Sequence, residues 1–153
     1  MQQLMEETIA KAEQRIGNTK NGVTGIPTGL AGLDRLTSGW QACDLNIIAA
    51  RPSVGKTALA LHLARSAAMA GRAVVVYSLE MQGERLADRW LMAASEVNQR
   101  HWRTGVPSEQ EMSEARAAAA ELSRLRIHVD DSTGVSMDHV RSSARLLKSR
   151  GGV

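Results

Sequence analysis

The stretch of the chain best suited to chemistry is Ala50-Arg51-Pro52-Ser53-Val54-Gly55-Lys56-Thr57. A glycine, a lysine and a hydroxyl residue in succession at the head of a helix form a pattern that cradles a phosphate chain. Gly55 lets the backbone approach an anion where a Cβ would intrude. Lys56 would reach the β- and γ-phosphates, and the hydroxyl of Thr57 would take a place on Mg²⁺. The unpaired N–H groups and positive dipole end of the following helix add attraction for an anion. One position departs from the general pattern, which has glycine where this chain has Ala50. The competing account is a chance Gly-Lys-Thr at the start of an ordinary helix.

A second candidate is Glu80, in Ser78-Leu79-Glu80-Met81. It follows a predicted strand, at the carboxyl end where sheet-based ligand sites lie. A carboxylate there could orient and deprotonate the attacking water in phosphoryl transfer. It could equally be a surface glutamate favoured by a helix dipole. Asp130-Asp131, after Ile127-His128-Val129, imitate a strand ending in metal-binding acids. Arg126 and His128 alternate with the apolar residues, however, which suits a half-exposed strand ending in turn acids. His62, His101, His128 and His139 show no metal-ligand spacing, so core or surface roles are expected. Cys43, the single cysteine, is expected to be a small buried or half-buried residue, and it cannot form an internal disulfide.

These residues need elements to position them. Leu45-Asn46-Ile47-Ile48-Ala49 predicts a strand entering the loop, over about Asp44 to Ala49, and the apolar run from Ala58 predicts a helix to about Ala70, stopped by Gly71. Ala73 to Ser78 is a continuous apolar run expected to be a strand buried on both faces, as in a parallel sheet. Leu86, Trp90, Ala93 and Val97 mark a helix from about Gly83 to Asn98, with Trp102 in a turn region ending at Gly105. Ser108 and Glu111 form a capping box that opens a helix to about Leu125. Ile127-His128-Val129 predicts a third strand, and Ser136 caps a last helix with Val140, Ala144 and Leu147 on one face, ended by Gly151-Gly152. Upstream, Thr28 or Gly29 can cap a short helix through Leu36. Met5, Ile9, Ala12 and Ile16 form a narrow stripe on an N-terminal helix ahead of a polar linker. That helix could pack on its own domain or on a neighbouring subunit. Strands alternating with helices give an α/β fold with a parallel sheet.

Composition narrows the class. The 153 residues amount to about one domain, and 43% hydrophobic content suffices for a core. With three Trp, one Tyr and no Phe, aliphatic residues must fill it. Lys and Arg outnumber Asp and Glu by 19 − 16 = 3, a balance that permits nucleic-acid binding without arguing for it. No apolar run reaches the ~18 residues of a membrane span. The N-terminus has no basic region of a secretory signal, and a reducing cytoplasmic setting is expected.

Taken together, the chain resembles the C-terminal motor domain of the DnaB-type replicative DNA helicases, a RecA-like branch of the P-loop ATPases. The resemblance is carried by Gly25-Ile26-Pro27-Thr28-Gly29, Leu33-Asp34, Ser38-Gly39-Trp40, Ala49 to Thr57 and Ser78-Leu79-Glu80-Met81. It covers roughly residues 22–153, and that family also lacks the first loop glycine. It implies a RecA-like P-loop NTPase fold, incomplete here, preceded by a linker helix: residues 1–17 as that helix, 18–24 as linker and 25–153 as a partial ATPase domain. It further implies ATP and Mg²⁺ as cofactors bound by residues 50–57, with Thr57 on the metal. It also implies catalytic parts for Lys56 and Glu80 in ATP hydrolysis coupled to unwinding duplex DNA. The implied partners are single-stranded DNA at a replication fork, further copies in a homo-hexamer joined through the linker helix, and a primase and a loader.

In the family the metal-binding strand, the DNA-binding loops and the arginine finger follow the point reached at Val153. A piece ending there is expected to be inactive alone and weakly stable or self-associating, with unpaired strand edges. Two alternatives stand beside the helicase: a nucleotide-binding or interaction module without turnover, and a RecA-, RadA- or KaiC-like ATPase. Ala50 with Arg51-Pro52-Ser53 speaks against the latter, which usually carry a full glycine-rich loop.

Overall fold

The computed structural model describes residues 1–18 and 22–150. Thr19 to Asn21, expected as linker, and Gly151-Gly152, expected to end the last helix, lie outside the described residues, as does the side chain of Ile16. The chain divides into two units, Met1–Ile47 and Ile48–Val153.

The first unit opens with α1 (Gln2–Asn18). Its stripe residues Met5 and Ile9 are 55% and 60% exposed. Beyond it, Ile26 and Trp40 form an antiparallel bridge with N–H to C=O bonds of 2.9 and 2.8 Å. Gly39 makes this clip possible: it sits at φ 80°, and a Cβ there would lie 2.7 Å from the Ile26 carbonyl oxygen. Between the clipped segments lies α2 (Ala31–Thr37). Its N-cap is Leu30, not Thr28 or Gly29, and it has no side-chain cap. The local bonding runs through Thr28 instead. The Thr28 side chain is fully buried, its hydroxyl accepts from the Leu30 N–H at 3.1 Å, and its own N–H donates to Asp34 Oδ1 at 2.8 Å. The Thr28 hydroxyl thus serves the turn that leads into α2, and the Asp34 carboxylate ties that turn back to the helix.

The second unit runs α3 (Lys56–Met69), β1 (Val74–Tyr77), α4 (Gly83–Ala94), α5 (Gln99–Thr104), α6 (Glu109–Leu122), β2 (Ile127–Asp130) and α7 (Met137–Ser149). The strands pair in parallel, Val74 opposite Ile127 through Tyr77 opposite Asp130. Three intervening helices make the crossover that parallel pairing requires. The α/β class with a parallel sheet and flanking helices agrees with the sequence. The capping box is present: the Ser108 hydroxyl accepts from the Glu111 N–H at 3.2 Å, and Glu111 Oε2 accepts from the Ser108 N–H at 2.7 Å. The region around Trp102 is a short helix, α5, capped by the Asn98 side chain and ended by Gly105. The stripe expected on α4 holds at Leu86 and Trp90, but the helix ends at Ala94 and buried Val97 lies beyond it.

Asp44–Ala49 does not form the expected strand. It pairs with no strand among the described residues, and Leu45 and Ile47 are 86% and 82% exposed. An apolar run signals that a segment suits a sheet interior, but a strand exists only through a neighbour's N–H and C=O groups. The two described strands pair with each other and with no third strand.

The core of the second unit is a cluster of Leu61, Leu86 and Trp90, against which Ala64, Val76, Met81, Leu122 and Ile127 pack. Burying each of the large side chains is worth roughly 1.5–3 kcal/mol. The Trp90 indole N–H is not left unpaired: it donates to the Leu61 carbonyl at 2.9 Å. Leu61 lies on the helix that begins at Lys56, and Met81 follows Glu80 directly. One cluster therefore supports both candidate site segments.

Candidate functional site

The loop before α3 turns through two left-handed residues, Ser53 at φ 66° and Gly55 at φ 101°. Gly55 is the N-cap of α3 and makes no side-chain cap bond. An α-helix leaves its first N–H groups without intrahelical partners, and no side chain of the cap residue takes them here. The glycine also keeps a Cβ out of the loop: nothing lies within 4 Å of where one would project. The result is a cradle of backbone donors at a positive helix end, which fits the charge of a phosphate chain.

A cleft of about 600 Å³ opens over this cradle. Ala50, Arg51, Pro52, Ser53, Gly55, Lys56, Thr57 and Glu80 all line it, so the loop and the carboxylate, far apart in sequence, face one space. Val54 alone of the loop residues does not line it, and it is 70% exposed. Two further residues do, Met81 and Arg89. Arg89 had no sequence signal of its own; it reaches the cleft because α4 carries it one residue from buried Trp90. Arg51, Lys56 and Arg89 make the cleft cationic around a single acid, Glu80. That balance suits a polyphosphate, and Lys56 and Thr57 are the side chains that would meet its terminal phosphates and its Mg²⁺.

Glu80 itself is exposed, on a segment held at both ends. The Ser78 N–H continues the ladder to the Asp130 carbonyl at 2.8 Å. The Ser78 hydroxyl donates to the Met81 carbonyl at 2.6 Å and accepts from the Met81 N–H at 3.2 Å. At the far end, the Gly83 N–H donates to Asp131 Oδ2 at 2.7 Å.

Asp130, the last residue of β2, and Asp131, just beyond it, thus both have structural partners. Asp130 Oδ2 lies 2.6 Å from His139 Nε2 on α7. Hydrogen bonds from the Ser132 side chain, and then from His139, pull the Asp130 carboxyl down to about 2. Among the described residues no group of three or more His, Cys, Asp and Glu side chains could hold a metal. His101 sits 2.9 Å from Glu111 Oε1. The Ser108 N–H, followed by the His101 ring, lowers the Glu111 carboxyl to about 2. Cys43 is exposed, contrary to expectation, because it occupies a left-handed turn position at φ 69° and not a packed element. A second cavity of about 550 Å³ lies among α3, α4 and α5, near His62, Arg65 and Trp102, and contains no residue of the phosphate loop. No helix among the described residues is long and apolar enough to cross a membrane.

Comparison with known proteins identifies the family of this fold. The family profile described as the DnaB-like helicase C terminal domain matches residues 25–153. The replicative DNA helicase DnaC of Bacillus subtilis (strain 168) is 40% identical over 151 residues, which is 98% of this chain and 33% of that protein. The replicative DNA helicase DnaB of Geobacillus stearothermophilus is 39% identical over 92% of this chain and 31% of its own length. The chain therefore spans about a third of the length of these relatives. Among solved structures, one described as an ATPase domain superposes with a TM-score of 0.85 at 30% identity, covering 95% of this chain and 52% of that one. A DnaB-like replicative helicase, solved in a study of its interactions with primase, gives 0.83 at 28% identity over 95% of this chain and 35% of that one.

Proposed function

The chain belongs to the DnaB-like helicase C-terminal domain family, and from that premise we propose that it is the ATP-binding portion of a replicative DNA helicase. The observation that carries the proposal is the shared cleft, in which Glu80 faces the same space as Lys56 and Thr57. In this reading residues 50–57 hold the phosphates of ATP, Lys56 stabilises the charge that develops on the transferred phosphoryl group, and the Thr57 hydroxyl is a ligand of Mg²⁺. Mg²⁺ held there would supply neutralisation of the phosphate charge. Glu80 orients the attacking water and accepts its proton.

The energy so released is used on DNA by an assembly of several copies. α1 is the proposed linker helix of a homo-hexamer, docking on a neighbouring subunit through Leu4, Met5 and Ile9, all more than half exposed. Residues 18–24 then join it to the ATPase portion, 25–153. Single-stranded DNA is the proposed track, primase and loader the proposed further partners, and the bacterial cytoplasm the proposed setting, given the organisms of the relatives.

The test compares ATP binding and hydrolysis, with and without single-stranded DNA, by this chain and by one extended past Val153. Binding by both and DNA-stimulated hydrolysis by the longer chain alone is expected. In the longer chain, Lys56→Ala abolishes binding or turnover, and Glu80→Gln keeps binding but stops turnover. Binding without any hydrolysis by the longer chain would leave a nucleotide-binding module in place of a motor.

A further inference from the structure

We propose that Asp131 is a positioning residue for Glu80, acting through the first turn of α4; the inference rests on Glu80 being the base of the hydrolytic step. In the short segment that carries Glu80, Leu79 and Glu80 are exposed while Met81 packs on the core, so the conformation of the exposed part depends on that anchor and on what fastens the two ends. The near end is tied to the β2 backbone by the Ser78 N–H to Asp130 carbonyl bond of 2.8 Å. The far end is the N-terminus of α4, where the N-cap Gln82 offers no side-chain bond. The acceptor comes from across the sheet: Asp131 Oδ2, 2.7 Å from the Gly83 N–H. Consecutive residues at the end of β2 therefore hold the two ends of the Glu80 segment, Asp130 through its backbone and Asp131 through its side chain.

The fit at the far end is close. A Cβ on Gly83 would stand 3.3 Å from Asp131 Oδ2 and 3.5 Å from Val129 Cγ1, so a glycine lets the carboxylate reach the N–H. A carboxylate at a helix N-terminus is also favoured by the dipole. Removing a cap acceptor frays the first helical turn. Here the fraying would begin three residues from Glu80, while the phosphate loop, which leads into α3, is not part of that turn.

The test uses Asp131→Ala, which removes the acceptor, and Asp131→Asn, which keeps a carbonyl oxygen for the Gly83 N–H. In this chain, amide hydrogen exchange across residues 79–83 is expected to quicken by ~5- to 30-fold in Asp131→Ala, the loss a missing cap produces, and to stay within about threefold of the parent in Asp131→Asn. In the longer, hydrolysing chain, Asp131→Ala is expected to lower kcat about tenfold with KM and MgADP affinity unchanged, Asp131→Asn to recover most of the rate, and Asp131→Ala to add no loss on top of Glu80→Gln. Unchanged kcat in Asp131→Ala, or a loss equal in Asp131→Ala and Asp131→Asn, would overturn the positioning role. Full turnover by Glu80→Gln would instead remove the reading beneath it, so the two failures are distinguishable.

Discussion

Replacing Trp90 by Phe examines whether the core of the second unit rests on a packed and satisfied indole. Trp90 is 7% exposed, touches Leu61 and Leu86, and donates its N–H to the Leu61 carbonyl at 2.9 Å. Phenylalanine lacks about three of the indole's ring atoms, worth roughly 2 kcal/mol at ~0.8 kcal/mol per buried carbon group. The lost hydrogen bond adds about 1 kcal/mol. A loss of ~3 kcal/mol corresponds, for a unit of about 100 residues, to a melting temperature lower by ~12–24 °C. Trp102→Phe supplies the contrast. Its indole N–H bonds Asp88 at a shorter 2.7 Å, but in an exposed setting where water replaces the partner. That substitution is expected to cost under about 1 kcal/mol. Urea titration and thermal melting followed by circular dichroism measure both. Equal effects of the two substitutions, or a smaller effect at Trp90, would refute the ranking by burial. An indole analogue with sulfur in place of N–H at Trp90 isolates the hydrogen bond and is expected to lose only its ~1 kcal/mol share.

Other expectations concern the loop and the acid end of the sheet. Gly55→Ala meets no atom within 4 Å but forces φ 101° on a residue with a Cβ, so calorimetry is expected to show ~1–3 kcal/mol of destabilisation and isothermal titration a marked loss of MgATP affinity. Asp130 has its carboxyl lowered to about 2, against an unfolded value near 3.9. The stability it contributes is therefore complete above about pH 4 and disappears as pH falls toward 2. Melting scans from pH 6 to 2 are expected to show a steeper acid loss in the parent than in Asp130→Asn, and parallel curves would contradict that assignment. Glu111, lowered to about 2 by the Ser108 N–H and His101, is expected to lose its capping contribution over the same interval, so Glu111→Gln should also flatten the acid limb.

What the amino-acid order disclosed were the features written in neighbouring residues. Gly55-Lys56-Thr57 is legible because the loop and its helix are contiguous, and so is the Ser108–Glu111 capping box, closed within one turn. Glu80 was visible as an acid after an apolar run, but its place on the same cleft as Lys56 is a product of tertiary packing. Arg89 and Asp131 were not legible in their present roles. Nothing in their neighbourhoods says which distant element they meet, and Asp131 lies 48 residues from the amide it caps. Asp44–Ala49 shows the opposite failure: its composition asked for a strand, but strand formation is decided by a partner and not by the segment.

The cleft and the core are one construction viewed from two sides. Leu61, one and a half turns into the helix that Lys56 begins, packs in the same cluster as Met81, the residue after Glu80. Trp90 belongs to the same cluster and donates its indole N–H to the Leu61 carbonyl. A change in the spacing between phosphate loop and carboxylate must therefore disturb close-packed side chains, which resist small displacements. The end of β2 adds the second constraint, holding Ser78 and Gly83 through Asp130 and Asp131. Core packing thus sets the distance across the cleft, while the β2 terminus sets the conformation of the segment bearing Glu80. The two can be separated experimentally: Trp90 substitutions should change stability and nucleotide affinity together, whereas Asp131 substitutions should change turnover and leave affinity in place.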